Sequence, residues 1–259
     1  MALTVATAVA AQAADLPTKK AAPAPVYVPP PFTWTGFYVG VNAGGVFGTG
    51  SRESTLYYAG VPVSGTYFSS PTGGNGSGFI GGGQAGYNFQ SGAAVFGLET
   101  DIDWTSGSKT YSYGGPIGGY YGLPATDWAN VNASARMTWL GTTRARVGFV
   151  ATPDNRLMFY GTGGVAYGGG SGYLNYYDTA NDFYLHGAPS STRVGWTIGA
   201  GVEYAITNNI TLKGEYLYYN LGSSNFVSAP ATLLGQNFWV GGKYNYEGSI
   251  VRAGVNYKF

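Results

Sequence analysis

Val251-Arg252-Ala253-Gly254-Val255-Asn256-Tyr257-Lys258-Phe259 closes the chain and decides its fold. Val251, Ala253, Val255, Tyr257 and Phe259 share one parity. Arg252, Gly254, Asn256 and Lys258 share the other. A β-strand sends alternate side chains to opposite faces, so this segment reads as a strand with one apolar and one polar face. Its length matches the ~9–11 residues that a tilted strand needs to cross a bilayer.

The same alternation recurs seven times upstream. It predicts strands at about 34–48, 78–90, 93–105, 135–150, 156–170, 194–206 and 209–222. Their apolar faces carry, for example, Phe37, Val39 and Val41; Phe96, Leu98, Ile102 and Trp104; or Met137, Trp139, Ala145, Val147 and Phe149. No window of ~18 apolar residues exists, so membrane-spanning helices are not expected. The opposite faces hold Glu99, Asp101, Asp103, Arg136, Arg144, Arg146, Arg156, Glu203, Lys213, Glu215, Arg252 and Lys258. An Arg or Lys facing lipid at mid-membrane would cost ~2–4 kcal/mol, and these positions avoid it. A soluble sandwich also alternates, but it turns its charges to water. Here the apolar face carries the rings, and the charges are expected to fill a crowded lumen as a structural ionic cluster.

The connections alternate as well. Short ones fall at Ser91-Gly92, Ala151 to Asn155 and Thr207-Asn208; long ones cover about 49–77, 106–134, 171–193 and 223–248. Short periplasmic turns and long external loops are the asymmetry of outer-membrane barrels. Aromatic side chains sort into two heights. Trp34, Phe37, Phe89, Phe96, Phe149, Phe159, Tyr204, Tyr257 and Phe259 lie near the short turns; Phe47, Phe79, Trp104, Trp139, Tyr167, Trp196 and Tyr218 lie near the long loops. Rings of this kind settle at the two membrane interfaces. The expected fold is an all-β, eight-stranded antiparallel transmembrane barrel with four long external loops and three short periplasmic turns.

Composition fits this reading. Only 10% of the 259 residues are charged, against ~25% in an average soluble domain. The chain has 44 Gly, 23 Tyr and no Cys, which removes disulfides and thiolate metal sites from consideration. Net charge is +1 and no basic cluster occurs, so a nucleic-acid partner is not expected.

Residues 2–13 form a short apolar run ending in Ala11-Gln12-Ala13, an A-x-A cleavage pattern without the usual basic n-region. A signal peptide is expected over 1–13. Residues 14–31, with Pro17, Pro23, Pro25, Pro29, Pro30 and Pro31, read as an extended periplasmic tether, either a plain spacer or a peptidoglycan contact. The barrel is expected over 32–259.

Trp34-Thr35-Gly36-Phe37-Tyr38-Val39-Gly40 after the Pro-rich lead, with the terminal Gly254-Val255-Asn256-Tyr257-Lys258-Phe259, resembles the small OmpA-like, opacity-protein-like outer-membrane barrels of alphaproteobacteria, often labelled porin-family proteins. The resemblance covers about 32–259. It implies an outer-membrane location, a role in envelope integrity or as a surface antigen, and in some members haem or host contact. Tyr257 and Phe259 look like the terminal signal read by the barrel-assembly machinery. OmpA itself adds a peptidoglycan-binding domain after its barrel. With the sequence ending at Phe259, that anchoring function is not expected here.

Chemistry is sparse. His186, the one histidine, has Asp182 before it and Ser190 and Ser191 after it. That spacing in a loop is a weak match to the His with Ser or Asp of barrel-type hydrolases; a haem ligand is the other functional reading of His186, and a solvated loop residue is the plainer one. Glu99, Asp101 and Asp103 could serve a glycosidase as acid and base. Arginines on the next strand make salt bridges the simpler reading. Gly81-Gly82-Gly83 and Gly168-Gly169-Gly170 lack the strand-to-helix context of a phosphate loop. No catalytic residue, metal or cofactor is expected. Eight strands leave a lumen that side chains fill, so no wide channel is expected. Three readings stay open: a structural and surface-interaction barrel, a small-solute or ion channel, and a ligand binder acting through its loops.

Overall fold

The computed structural model describes residues 32–48, 52–58, 61–62, 77–116, 128–178, 183–187, 190–227, 231–233 and 236–259. The expected signal peptide and tether, 1–31, lie outside the described residues.

Among the described residues the strands are β1 (Gly36–Gly48), β2 (Arg52–Tyr58), β3 (Val61–Pro62), β4 (Ser77–Ser91), β5 (Ala94–Thr105), β6 (Ser108–Pro116), β7 (Trp128–Val150), β8 (Leu157–Asp178), β9 (Phe183–Gly187), β10 (Ser190–Ala205), β11 (Ile210–Val227), β12 (Ala231–Leu233) and β13 (Gln236–Lys258). Eight of them, β1-β4-β5-β7-β8-β10-β11-β13, pair antiparallel in that order, and β13 pairs back onto β1. The sheet is thereby a closed, all-β barrel of eight strands.

Following paired residues around the ring measures its stagger. Gly36 leads to Asn88, Gly97, Arg146, Thr162, Gly199, Leu217, Ile250 and back to β1 at Val46, ten residues beyond its start. A shear of ten is ~33 Å along the strands against ~38 Å around eight of them, a tilt of about 40°. That tilt fixes the narrow bore.

Three tight turns close one end. Gly92 supplies a φ of 60° in the first, and Asn155 a φ of 59° in the second. In the third, Ile206 N–H and Thr207 N–H both bond Ile210 O. The other end differs from the sequence expectation. The segments read as long loops at 106–134, 171–193 and 223–248 are largely strand. β7, β8 and β13 run 23, 22 and 23 residues, about twice what the membrane needs. β6 lies on β7, β9 on β8, and β2 on β13, so the wall continues outward as β-hairpins. Beyond the membrane the outward face has no reason to be apolar. The period-two signal fades there although the backbone pairing continues.

The outside of the wall is a belt of exposed apolar side chains: Phe37 (67% exposed), Val41, Leu98, Trp104, Val147, Val194, Ile198 and Phe259 (71%) among them. Such an area facing water would drive association; facing lipid it is the spanning surface. Rings pair across strands at both rims, Phe89 with Phe96 and Phe149 with Phe159 below, Trp104 with Trp139 above. Trp34 departs from the expected lower belt. It is 1% exposed and sits inside the barrel.

Candidate functional site in the barrel lumen

The lumen is built in three layers. The floor is Phe32, Trp34, Val95, Val150, Met158, Tyr160 and Ala205. The chain before β1 turns under the barrel, and Phe32 and Trp34 meet edge to face at 4.9 Å. Trp34 Nε1–H donates to Asn155 O at 2.8 Å, and Trp34 N–H to Gln90 Oε1 at 2.8 Å. The outer half holds a second apolar cluster of Val46, Ile80, Leu140, Ala166, Leu217, Tyr219, Leu221 and Ile250.

Between these layers lies an ionic network. β5 contributes Glu99, Asp101 and Asp103; β7 Arg144 and Arg146; β10 Glu203; β11 Lys213 and Glu215; β13 Arg252. All nine are buried. Each sits on the inward parity of its strand, and the register sets Glu99 opposite Arg144, Glu203 opposite Lys213 and Glu215 opposite Arg252. Arg144 Nη2 lies 2.6 Å from Glu99 Oε1 and 2.8 Å from Asp101 Oδ2, with its Nη1 2.8 Å from Glu215 Oε1. Arg252 reaches Asp103 at 2.5 Å, Asp101 at 2.9 Å and Glu215 at 2.8 Å. Arg146 joins Glu99 (3.2 Å) to Glu203 (2.7 Å), and Lys213 Nζ stands 2.8 Å from Glu99.

Desolvating these groups is expensive, and the pairing is what makes it tolerable. Removing one member of a buried pair strands its partner and costs ~3–5 kcal/mol. The network therefore ties five strands from opposite sides of the ring. It holds the carboxylates to the lumen's own arginines and lysine, an arrangement suited to bracing the wall.

Three residues of the sequence-derived cluster are not in it. Arg136 is exposed on the outer surface. Thr138 is an extra residue between the pairs Met137–Gly170 and Trp139–Gly169. This bulge inverts the alternation above it: Met137 packs against the outer apolar cluster and Arg136 turns out. Arg156 belongs to the second turn, with Nη1 donating to Ala205 O (3.1 Å) and Nη2 to Asn208 Oδ1 (3.0 Å). Lys258 Nζ donates to Thr35 O at 3.3 Å and lies 5.3 Å from the Phe32 ring. Both cations border the aromatic floor, which takes their place beside the network. In that same turn Asp154 accepts Thr152 O–H and Arg156 N–H, and these bonds hold its carboxyl below the ordinary value of 3.8.

Neutral partners complete the network. Tyr38 O–H donates to Glu99 (2.7 Å), Tyr160 O–H to Glu215 (3.1 Å), Thr142 O–H to Asp101 (2.7 Å) and Thr211 O–H to Glu203 (2.5 Å). The Arg146 guanidinium lies 3.9 Å from the Tyr160 ring centroid. Their signal in the sequence is parity: Thr142 is in step with Arg144, Thr211 with Lys213, and Tyr160 with Arg156. The apolar lumen residues Leu217 and Ile250 share the parity of Glu215 and Arg252, which marks them as inward despite their chemistry.

His186 lies in β9 with its backbone opposite Asn175. Its side chain lies outside the described residues. Tyr257 and Phe259 face outward at the floor end, edge to face at 5.2 Å, and Phe259 N–H donates to Phe37 O at 3.0 Å.

The family model described as "Outer membrane protein beta-barrel domain" matches residues 1–259. The 31 kDa outer-membrane immunogenic protein of Brucella melitensis biotype 1 is 41% identical over 231 residues, 88% of this chain and 85% of that protein. The 22 kDa outer membrane protein of Rhizobium leguminosarum bv. viciae is 30% identical, covering 90% and 81%. The crystal structure of the outer membrane protein OprG from Pseudomonas aeruginosa superposes with a TM-score of 0.49 at 11% identity, covering 88% of this chain and 98% of that one. Closed eight-stranded wall, apolar belt and relatives agree: the chain belongs to the outer-membrane β-barrel protein family and resides in the outer membrane.

Proposed function

We propose that this outer-membrane barrel is a closed structural element of the envelope that displays β-hairpins at the cell surface, and that it neither conducts solutes freely nor catalyses a reaction. The layered lumen carries the reading. An ion or solute would have to displace the Phe32–Trp34 floor, break a buried network of nine charges and part the Ile80–Leu140–Leu217–Ile250 cluster. The strands that outrun the membrane support display, as do the names of the Brucella relatives, which call those proteins immunogenic.

The partners proposed with this reading are lipid around the belt and the barrel-assembly machinery at Tyr257 and Phe259, with the Pro-rich segment either a plain spacer or a peptidoglycan contact. Single-channel recording of the refolded barrel in a planar bilayer tests the proposal. A silent membrane, with folding checked by heat-dependent gel mobility, is expected. Steady unitary openings would overturn it in favour of an ion channel. The loop-binding alternative has its own test, a haem spectral shift abolished by His186→Ala.

A further inference from the structure

Above the aromatic belt, on one side of the barrel, the outward face of the wall changes character. The Trp139 and Tyr167 rings stand 6.3 Å apart at the outer interface. From there β7 turns Arg136, Ser134, Asn132 and Asn130 outward, and the register sets Tyr173 of β8 opposite Ser134 and Tyr177 opposite Asn130. Arg136, Asn132 and Asn130 are exposed, and the two tyrosines are 42% and 39% exposed. On the other side of β7 the face continues along β6, with Ser112 opposite Asn132. Aliphatic side chains stop at the belt. Among the described residues no Asp or Glu shares the outward parity of β6, of β8 above Tyr167, or of β7 above its bulge.

Height says what this face meets. Ser171, the ladder partner of Arg136, lies four residues beyond Tyr167. That is ~13 Å of strand, or ~10 Å above the rings at a tilt of about 40°. Tyr177 lies six residues further on, ~25 Å above the rings by the same measure. The face is continuous with the lipid-facing belt and stands in the layer just beyond the acyl chains. In an outer membrane that layer holds the phosphorylated sugars of the outer-leaflet glycolipid. The chemistry of the face fits them. A guanidinium takes phosphate oxygens two at a time. Tyrosine rings offer apolar surface to the C–H faces of sugars, and Asn and Ser both donate to and accept from hydroxyls. A face that met water alone would be free to carry carboxylates; a phosphate-bearing partner repels them. The diametrically opposite wall shows the contrast. There Glu247 of β13 stands opposite Asn220, and its carboxylate accepts from Tyr218 O–H (2.8 Å) and Asn220 Nδ2 (3.1 Å).

We propose that the outward face of β6, β7 and β8 above the belt docks the phosphorylated saccharide headgroup of one outer-leaflet glycolipid. Arg136, nearest the interface, takes a phosphate. Tyr173 and Tyr177 lie against sugar rings further out, and Asn132 and Asn130 bond their hydroxyls. The acyl chains of the same molecule run down the belt below, so the lipid-facing wall and the polar face act as one continuous surface. The barrel thereby holds a glycolipid on one defined side and not uniformly around its circumference.

The test is native mass spectrometry of the refolded barrel released from phosphatidylcholine nanodiscs that hold a rising mole fraction of lipopolysaccharide. A saturable adduct of one lipopolysaccharide per barrel is expected. Arg136→Gln is expected to raise the mole fraction for half-occupancy about tenfold, the loss of one charge-assisted contact. Asn132→Asp, which puts an acid on the face, is expected to do the same. Ser223→Asp adds the same charge at an exposed position of β11, three strands away, and is expected to change nothing. Heat-dependent gel mobility confirms that each variant is folded. No saturable adduct would overturn the proposal, and equal effects of Asn132→Asp and Ser223→Asp would overturn the assigned face. An equally tight adduct with phosphatidylglycerol would reduce the site to charge alone. Equally tight binding of the core oligosaccharide freed from its acyl chains would give the face to a soluble saccharide. Either result would overturn the glycolipid as occupant.

Discussion

The indole N–H of Trp34 donates to the backbone oxygen of Asn155 across the floor of the barrel, at 2.8 Å. Trp34 precedes the first strand and Asn155 sits in the turn between β7 and β8, so this bond crosses the bore. It places a buried aromatic ring where the closing seam of β1 and β13 needs support from the far wall.

Trp34→Ala is expected to destabilise the barrel by ~3–5 kcal/mol, the range for emptying a buried aromatic site. Trp34→Phe keeps the ring and loses the bond, so about 1 kcal/mol is expected. Urea midpoints in vesicles measure both. Equal losses would show that the bond, not the ring, holds the floor.

Arg144→Met removes a cation that Glu99, Asp101 and Glu215 share and leaves the network with three cations for five buried carboxylates, and a loss of ~3–5 kcal/mol is expected. Arg136→Met removes an exposed charge and is expected to stay within ~0.5 kcal/mol of wild type. Heat-dependent gel mobility ranks the two. A large effect at Arg136 would contradict the bulge at Thr138.

Val41 lies midway along β1 between the rings of Phe37 and Phe47 and faces outward. Val41→Arg is expected to cost ~2–4 kcal/mol as a lipid-facing cation near the midplane. Val41→Leu is expected to be neutral. The same unfolding assay in vesicles decides it, and a harmless arginine would move Val41 out of the membrane.

Replacing residues 172–189 with a two-residue turn removes the end of the β8–β10 connection above the Ser171–Ser190 pair. Both apolar layers and the whole ionic network lie below that pair. Folding yield and urea midpoint are expected to be retained. Failure to fold would show that the hairpins carry barrel stability.

The Asp154 carboxyl is held below its ordinary 3.8 by Thr152 and Arg156. Its ionised form is the bonded one, so its stabilising contribution is complete above that ordinary value and fades as pH falls through the lower folded one. Limited proteolysis of the turn is expected to separate Asp154→Asn from wild type at neutral pH. The two should converge in strong acid.

Strand number, the outward faces and the position of the short turns were legible in the sequence because period two is a local property. A residue's parity and its neighbours' chemistry suffice to place Leu98 outside and Glu99 inside. Parity fails only where a bulge intervenes, and Thr138 carries no mark of one. Arg136 and Arg144, in step along the chain, therefore stand on opposite faces of the wall.

What the tertiary structure alone decided is pairing across the bore. Glu99 and Lys213 are 114 residues apart and Arg252 and Asp101 are 151 apart, and neither couple sits on adjacent strands. Their contact depends on the closure of the ring and on a stagger of ten residues, which is a sum over eight registers. No local pattern encodes that sum. The same holds for Trp34, whose burial exists only because a closed barrel provides a floor to enter. The sequence by itself determined which side chains face inward. Closure and shear decided which of them meet, because charges find partners by distance in space and not along the chain.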